Sequence, residues 1–208
     1  MNKIVLISDT HGMHANLDLP KGDILIHAGD ISKSGTREEV EDFLEWFCKQ
    51  SFEHKIFIAG NHDFYLERNN DVLNNLPKEI NYLNDSLCVV KGLKIWGSPI
   101  TPMFYNWAFN RNRGDEIMKH WDLIPLDSDV IVTHGPAFRR LDRTQRNEHA
   151  GCKDLFRVLE KIKPKLHVFG HIHEGYGMIE VEETIFVNAS NMNCKYELVN
   201  KPIMVEIQ

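Results

Sequence analysis

Short apolar runs punctuate the chain at Ile4-Val5-Leu6-Ile7, Ile24-Leu25-Ile26, Ile56-Phe57-Ile58 and Val130-Ile131-Val132. Each is continuous rather than alternating and rich in β-branched residues, the pattern of strands buried on both faces. Between them the spacing becomes helical. Thr36-Arg37-Glu38-Glu39 has the form of a capping box, and Val40, Phe43, Leu44 and Phe47 follow at i, i+3, i+4 and i+7. A helix is therefore predicted from about Thr36 to Gln50. Further helices are predicted over about Phe64 to Leu76 and Arg113 to Trp121, and Leu155, Val158, Leu159 and Ile162 mark a fourth that stops before Pro164.

From Asn81 to Gly97 and from Gly175 to Ile207 the pattern turns to strands and turns, as in Leu87 to Val90, Leu93 to Trp96, Thr184 to Val187 and Ile203 to Ile207. Those pieces predict hairpins or meanders. Helices interleaved with early strands, followed by antiparallel strands, give an α/β (α+β) fold in which two packed sheets are covered by helices. With 208 residues, 42% of them hydrophobic, the chain suits one domain spanning 1–208.

Charge and cysteine usage narrow the function classes. A net charge of −6 provides no general basic field, which counts against capture of long nucleic acid while leaving a local basic patch open. Cys48, Cys88, Cys152 and Cys194 form no Cys-x-x-Cys pair, so neither a thiolate zinc site nor a disulfide framework is expected. They read as reduced thiols. The run Ile4 to Ile7 is too short for a secretory leader, and no stretch reaches the roughly 18 to 20 apolar residues that cross a bilayer. A cytoplasmic protein without membrane contact is the expectation.

Candidate chemistry sits at the ends of apolar runs: Asp9-Thr10-His11, Gly29-Asp30, Gly60-Asn61-His62-Asp63, His134-Gly135 and Gly170-His171-Ile172-His173. Carboxylate, imidazole and amide groups at successive strand tips suit a pair of hard or borderline divalent cations. If the first strand runs on, Asp9 and His11 at i and i+2 point the same way. Asp30 has two oxygens and can bridge cations about 3.5 to 4 Å apart, although Gly-Asp alone also reads as a turn. Asn61 offers an amide oxygen to a metal or an N–H to a phosphate. His62 is placed for proton donation to a leaving oxygen, with Asp63 as the acceptor that fixes its tautomer. His134 follows a strand, His171 and His173 repeat the i, i+2 device, and His27 reads as a core or supporting histidine. Any single block has a bland explanation as a turn or strand end; five in order do not.

This ordered set resembles the calcineurin-like metallophosphoesterase superfamily. The text around it, notably Gly22 to Asp30, Ile58 to His62, Thr133 to Pro136 and Pro164 to Gly170 with Glu174 to Gly177, is similar to its metallophosphoesterase domain-containing branch. The resemblance runs from Ile4 to Ser190. It implies a four-layer sandwich of two mixed β-sheets flanked by helices. It also implies that Asp9, His11, Asp30 and His173 hold one metal, that Asp30, Asn61, His134 and His171 hold a second, and that His62 is catalytic outside the metal shell. Some members of the branch carry glycine where this chain has His171, so a complete two-metal site is implied here.

Two cations bridged by Asp30 would generate hydroxide for in-line attack on phosphorus, with His62 as acid or transition-state stabiliser. Manganese is the first choice in vitro, and Fe, Zn, Ni or Co suit the same donors. The segment Pro102 to Arg113 mixes aromatic and basic residues. Trp107 and Phe109 suit stacking on a nucleobase, and Arg111, Arg113 and, further on, Arg139 suit phosphate oxygens, with Asn61 beside them; packing of a loop or a solvated face explains each equally well. The resemblance points to a phosphodiesterase for small phosphodiesters or nucleotides, 2′,3′- or 3′,5′-cyclic nucleotides first. A metal-dependent nuclease, a phosphomonoesterase and a non-catalytic scaffold of the same fold stay open, as does homodimerisation.

Overall fold

The computed structural model describes residues 1–69 and 71–208. The strands are β1 (Asn2–Ile7), β2 (Ile24–Ala28), β3 (His54–Ile58), β4 (Ile80–Tyr82), β5 (Ser86–Val90), β6 (Leu93–Ser98), β7 (Thr101–Pro102), β8 (Asn110–Arg111), β9 (Val130–Thr133), β10 (Leu166–Phe169), β11 (Gly177–Val181), β12 (Thr184–Asn188) and β13 (Ile203–Ile207). The α-helices are α1 (Arg37–Lys49), α2 (Phe64–Arg68), α3 (Asp115–Trp121) and α4 (Lys153–Ile162).

Two mixed sheets dominate, in the orders β13-β1-β2-β3-β4 and β11-β12-β10-β9-β6-β5. In the first, β1 to β4 run parallel and β13 lies antiparallel on β1. In the second, β12, β10, β9 and β6 are parallel, with antiparallel edges from the hairpins β11–β12 and β5–β6. Alternation along each strand builds the layers. Ile4, Leu6, Ile24, Ile26, Ile56 and Ile58 meet Ile95, Val130, Val132, Leu166 and Val168 between the sheets. The intervening positions turn outward: Val5, Leu25 and Phe57 pack with Val40, Phe43 and Phe47 of α1, and Trp96, Ile131 and Phe169 belong to the same buried cluster as Ile117, Trp121, Leu155 and Leu159. The result is the expected arrangement of helix, sheet, sheet and helix.

Local rules explain where the helices begin and end. The Thr36 hydroxyl accepts the Glu39 N–H at 3.3 Å and the Glu39 carboxylate accepts the Thr36 N–H at 3.1 Å, a complete capping box. Helix α3 starts two residues later than its spacing suggests, because Gly114 at its N-cap has φ 85°, a conformation glycine tolerates best. Helix α4 ends at Lys163 in a left-handed conformation just ahead of Pro164. The helix expected from Phe64 to Leu76 is only five residues long. Asn69 leaves helical geometry, a 3-10 turn occupies Asp71–Leu73, and Asn70, within the expected span, lies outside the described residues. Among the described residues no helix is long and apolar enough to cross a membrane.

This architecture brings five parallel strand ends from two sheets to one edge of the sandwich. β1, β2 and β3 deliver Asp9, Asp30 and Asn61, while β9 and β10 deliver His134 and the His171–His173 pair.

Candidate functional site

Strand β1 ends at Ile7, so Asp9 and His11 do not converge as neighbours on an extended strand. The chain instead turns through left-handed residues at Asp9 (φ 52°), His11 (φ 41°), Asp30 (φ 56°) and His171 (φ 67°). Such backbone is costly for side chains with a Cβ and persists where surrounding contacts hold it. Here the carboxylates themselves hold it. Both Asp9 oxygens accept the His171 N–H, at 3.0 and 3.1 Å, and Asp30 Oδ1 accepts the His62 N–H at 2.8 Å. The blocks also need glycine for close approach. A Cβ on Gly170 would lie 1.9 Å from Asp9 Oδ2, and one on Gly60 would lie 2.3 Å from Asp30 Oδ1.

Four imidazoles share one device. Each places Nδ1 against a backbone carbonyl: His11 on Ser32 at 3.2 Å, His62 on Lys33 at 2.8 Å, His134 on Ala28 at 2.9 Å and His173 on Asn193 at 2.9 Å. A carbonyl only accepts, so Nδ1 carries the proton and Nε2 is the ring's variable atom. Three of those Nε2 atoms face carboxylates. His173 Nε2 lies 3.3 Å from Asp9 Oδ1, His134 Nε2 lies 3.3 Å from Asp30 Oδ2, and His11 Nε2 lies 3.7 Å from the same Asp30 oxygen. Asn61 Oδ1 stands 2.9 Å from His134 Nε2.

The donors form overlapping groups able to hold a cation: Asp9, His11 and His173; His11, Asp30 and His62; and Asp9, Asp30 and His134, with ligand atoms within 4.8 Å in each. His11 Nε2 is buried and has no hydrogen-bond partner among the described residues. An orphaned imidazole nitrogen beside buried carboxylates fits a divalent cation, and the mix of oxygen and nitrogen donors suits Mn, Fe, Zn, Co or Ni. His171 completes the set more loosely. It meets His134 at 5.1 Å between ring centroids and Phe104 at 5.8 Å, and it belongs to none of the three groups.

The charges are mutually dependent. Burial pushes the Asp9 carboxyl up, but His173, His134 and His11 outweigh it and hold it well below the usual carboxylate range. Burial likewise opposes ionisation of Asp30, and His134 and His11 overcome it. Burial alone would lower His134 and His173, yet Asp30 and Asp9 raise each imidazole to about 9. Without a cation both rings therefore stay protonated at neutral pH, and because His134 and His173 fall in different groups, each of two cations must displace one proton. Binding of Mn²⁺ at pH 7.5 is expected to release about two protons per chain, with affinity rising as pH climbs toward 9. Calorimetry in buffers of different ionisation enthalpy measures this; a buffer-independent heat would contradict it.

Not every expected site residue reaches this cluster in its expected role. Asp63 does not orient His62: its carboxylate accepts from the N–H groups of Ile31, Ser32 and Gly60 and from the Ser32 hydroxyl, stitching the second and third blocks together. Burial and the charge of Asp30 raise it to about 6. The Lys33 carbonyl orients His62 instead. Phe109 is core, 4% exposed, so its ring is not presented to a ligand. Arg111 folds onto the Asn110 carbonyl, and Arg139 lies over Phe138 beside a different cavity. Trp107 does belong to the cluster, its indole 4.3 Å from the His62 ring at 30°. Arg113 lines a cavity of about 350 Å³ that begins at His171 and includes Phe104, Pro136, Thr144 and Glu174. A larger cavity, about 470 Å³, lies around α2 and β4 and contains none of the candidate ligands, so size does not mark the site.

His27 is buried, with Nδ1 accepting the Gly29 N–H at 3.2 Å and Nε2 meeting the Thr10 hydroxyl at 2.9 Å; burial pushes it down to about 3. It supports two ligand turns as a neutral ring. Ser190, whose hydroxyl donates to Asp9 Oδ2 at 2.8 Å, and Tyr196, which stands against His11 and His173, were missed by sequence reasoning because neither lies in a strand-end block.

Comparison with known proteins agrees with this geometry. A family profile described as calcineurin-like phosphoesterase matches residues 2–175. Metallophosphoesterase domain-containing protein 1 of Homo sapiens is 38% identical over 230 residues, covering 99% of this chain and 71% of that protein, and its Mus musculus counterpart matches equally. In overall fold the chain is similar to a phosphopantetheinyl hydrolase (PptH) from Mycobacterium tuberculosis, with a TM-score of 0.63, 15% identity and coverage of 93% of this chain and 90% of the other.

Proposed function

Because the chain belongs to the calcineurin-like phosphoesterase family, we propose that its buried cluster is a two-cation centre hydrolysing small phosphodiesters, 2′,3′- or 3′,5′-cyclic nucleotides first. The observation that carries this reading is the set of imidazoles whose Nδ1 atoms are spent on backbone carbonyls and whose Nε2 atoms gather around Asp9 and Asp30. In this reading Asp9, His11, Asp30 and His173 hold one divalent cation, and Asp30, Asn61, His134 and His171 hold the other, with manganese the first choice in vitro. Bound divalent cations supply Lewis acidity, acidifying water and taking up charge on phosphoryl oxygens.

The chain's own groups do the rest. The Lys33 carbonyl fixes the His62 tautomer, so Nε2 is the atom able to give a proton to a departing alkoxide oxygen. Trp107 backs the His62 ring, and Phe64 lies behind Trp107 at 5.9 Å, which restricts rotation of the imidazole. A diester needs room for a second organic group, and the cavity beside His171 offers it. At about 350 Å³ it is near the lower end of small-ligand pockets, which favours a nucleotide over a polymer. Within it the Arg113 guanidinium is held by the Ala150 and Gly151 carbonyls at 2.9 and 3.0 Å, pre-set for a polar edge or a phosphate oxygen.

A panel of cyclic nucleotides, bis-p-nitrophenyl phosphate and p-nitrophenyl phosphate with Mn²⁺ tests the reading. Diesters are expected to turn over faster than the monoester. A faster monoester would overturn the substrate class, and no hydrolysis by the Mn²⁺-loaded protein would leave a scaffold of the same fold.

A further inference from the structure

The turn between Asn191 and Leu198 is tied to the tip of β1 and to the cluster at once. The Asn191 N–H donates to the Ser8 carbonyl at 2.8 Å, its side-chain oxygen accepts the Ser8 N–H at 3.1 Å, and Met192 bridges to Leu198. Asn193 closes the turn, its side-chain oxygen accepting the N–H groups of Lys195 and Glu197 at 2.9 and 3.1 Å. The carbonyl of the same residue takes the Nδ1 proton of His173. Near the apex Tyr196 adopts φ 60°, a conformation tyrosine rarely visits. Its ring meets His11 edge-on at 4.9 Å and His173 edge-on at 5.3 Å, and lies 6.2 Å from His62.

We infer that Tyr196 is a positioning residue whose ring holds the imidazoles of His11 and His173 with Nε2 facing Asp9 and Asp30 before any cation arrives. The inference rests on the two-cation reading of the cluster. His11 needs such a brace most: its Nδ1 bond is the longest of the four at 3.2 Å, and its Nε2 has no partner among the described residues. A ring anchored by one long hydrogen bond can rock about it, and an edge-to-face neighbour penalises that motion. A ligand set already oriented loses less freedom on binding. Tyr196 is 47% exposed, so it is not core packing whose loss would disturb the sheets.

The test compares Tyr196→Ala with Tyr196→Phe by Mn²⁺ calorimetry and by NMR of the histidine ring protons in the metal-free protein. Tyr196→Ala is expected to weaken one of two Mn²⁺ sites about ten- to hundredfold, the range for lost supporting contacts, and to remove the ring-current shifts of His11 and His173. Tyr196→Phe should preserve both. Unshifted histidine signals in Tyr196→Ala, or equal impairment by Tyr196→Phe, overturns the inference. Neither readout needs a substrate. A protein with a working clamp but no phosphodiester hydrolysis would therefore sink the proposed activity alone, and the metal-free spectra judge the clamp even where Mn²⁺ binding is weak.

Discussion

Changing Asp30 to asparagine is expected to strip the protein of bound cations and to reduce phosphodiester turnover by at least about a hundredfold. One carboxylate oxygen, Asp30 Oδ2, faces both His11 at 3.7 Å and His134 at 3.3 Å, so a single charge serves both proposed cation positions. The other oxygen accepts the His62 N–H, and an asparagine oxygen can keep that bond. The substitution therefore removes charge while leaving the third block anchored. His134 is not stranded as a buried cation, because burial favours its neutral form once Asp30 no longer raises it. The metal-free variant should still fold but melt below the wild type, because the ionised carboxylate favoured by His134 and His11 contributes stability that a neutral amide lacks. What it should lose is stabilisation by Mn²⁺, which in the wild type amounts to about 2.7 kcal/mol for each bound cation at a hundredfold excess over its Kd. Elemental analysis and melting curves with and without Mn²⁺ measure both effects, and a variant that still binds two equivalents would remove Asp30 from the bridging position.

The layers and the ligand blocks were legible because both are written locally. Ile4 and Leu6 face the opposing sheet while Val5 faces α1, and a continuous apolar run reads as doubly buried without knowledge of what covers it. The capping box at Thr36 and the stop before Pro164 are likewise properties of a few consecutive residues. What was not legible depends on contacts between distant segments. Asp9 and His11 converge through left-handed turns held by the N–H of His171, a residue 162 positions beyond Asp9. Asp63 looks like a partner for the histidine beside it, yet its carboxylate is spent on the Ile31–Ser32 backbone. Phe109 and Trp107 are two residues apart in an aromatic stretch, and only packing decides that one is core and the other backs His62. Tyr196 carries no signal at all, since its stretch has neither strand nor helix period and its role arises from the turn that Asn193 closes.

Replacing His62 by alanine is expected to leave both Mn²⁺ equivalents in place while lowering turnover by about 10² to 10⁴, the usual range for a positioned acid. The experiment is discriminating because the geometry permits two roles. His62 lies 4.6 Å from His11 between ring centroids, and it forms a possible cation group with His11 and Asp30. A ligand and an acid make opposite demands on Nε2: a ligand must present a lone pair throughout, whereas an acid must carry a proton when the leaving oxygen departs. Loss of one Mn²⁺ equivalent from His62→Ala would therefore reassign the residue to the metal shell. With both equivalents retained, the leaving group separates the remaining possibilities. p-Nitrophenolate departs without assistance, while a nucleoside alkoxide needs a proton, so an acid should matter far more for a cyclic nucleotide than for bis-p-nitrophenyl phosphate. An equal loss on the two substrates would place the action of His62 on a non-bridging phosphoryl oxygen, where charge develops whatever group departs.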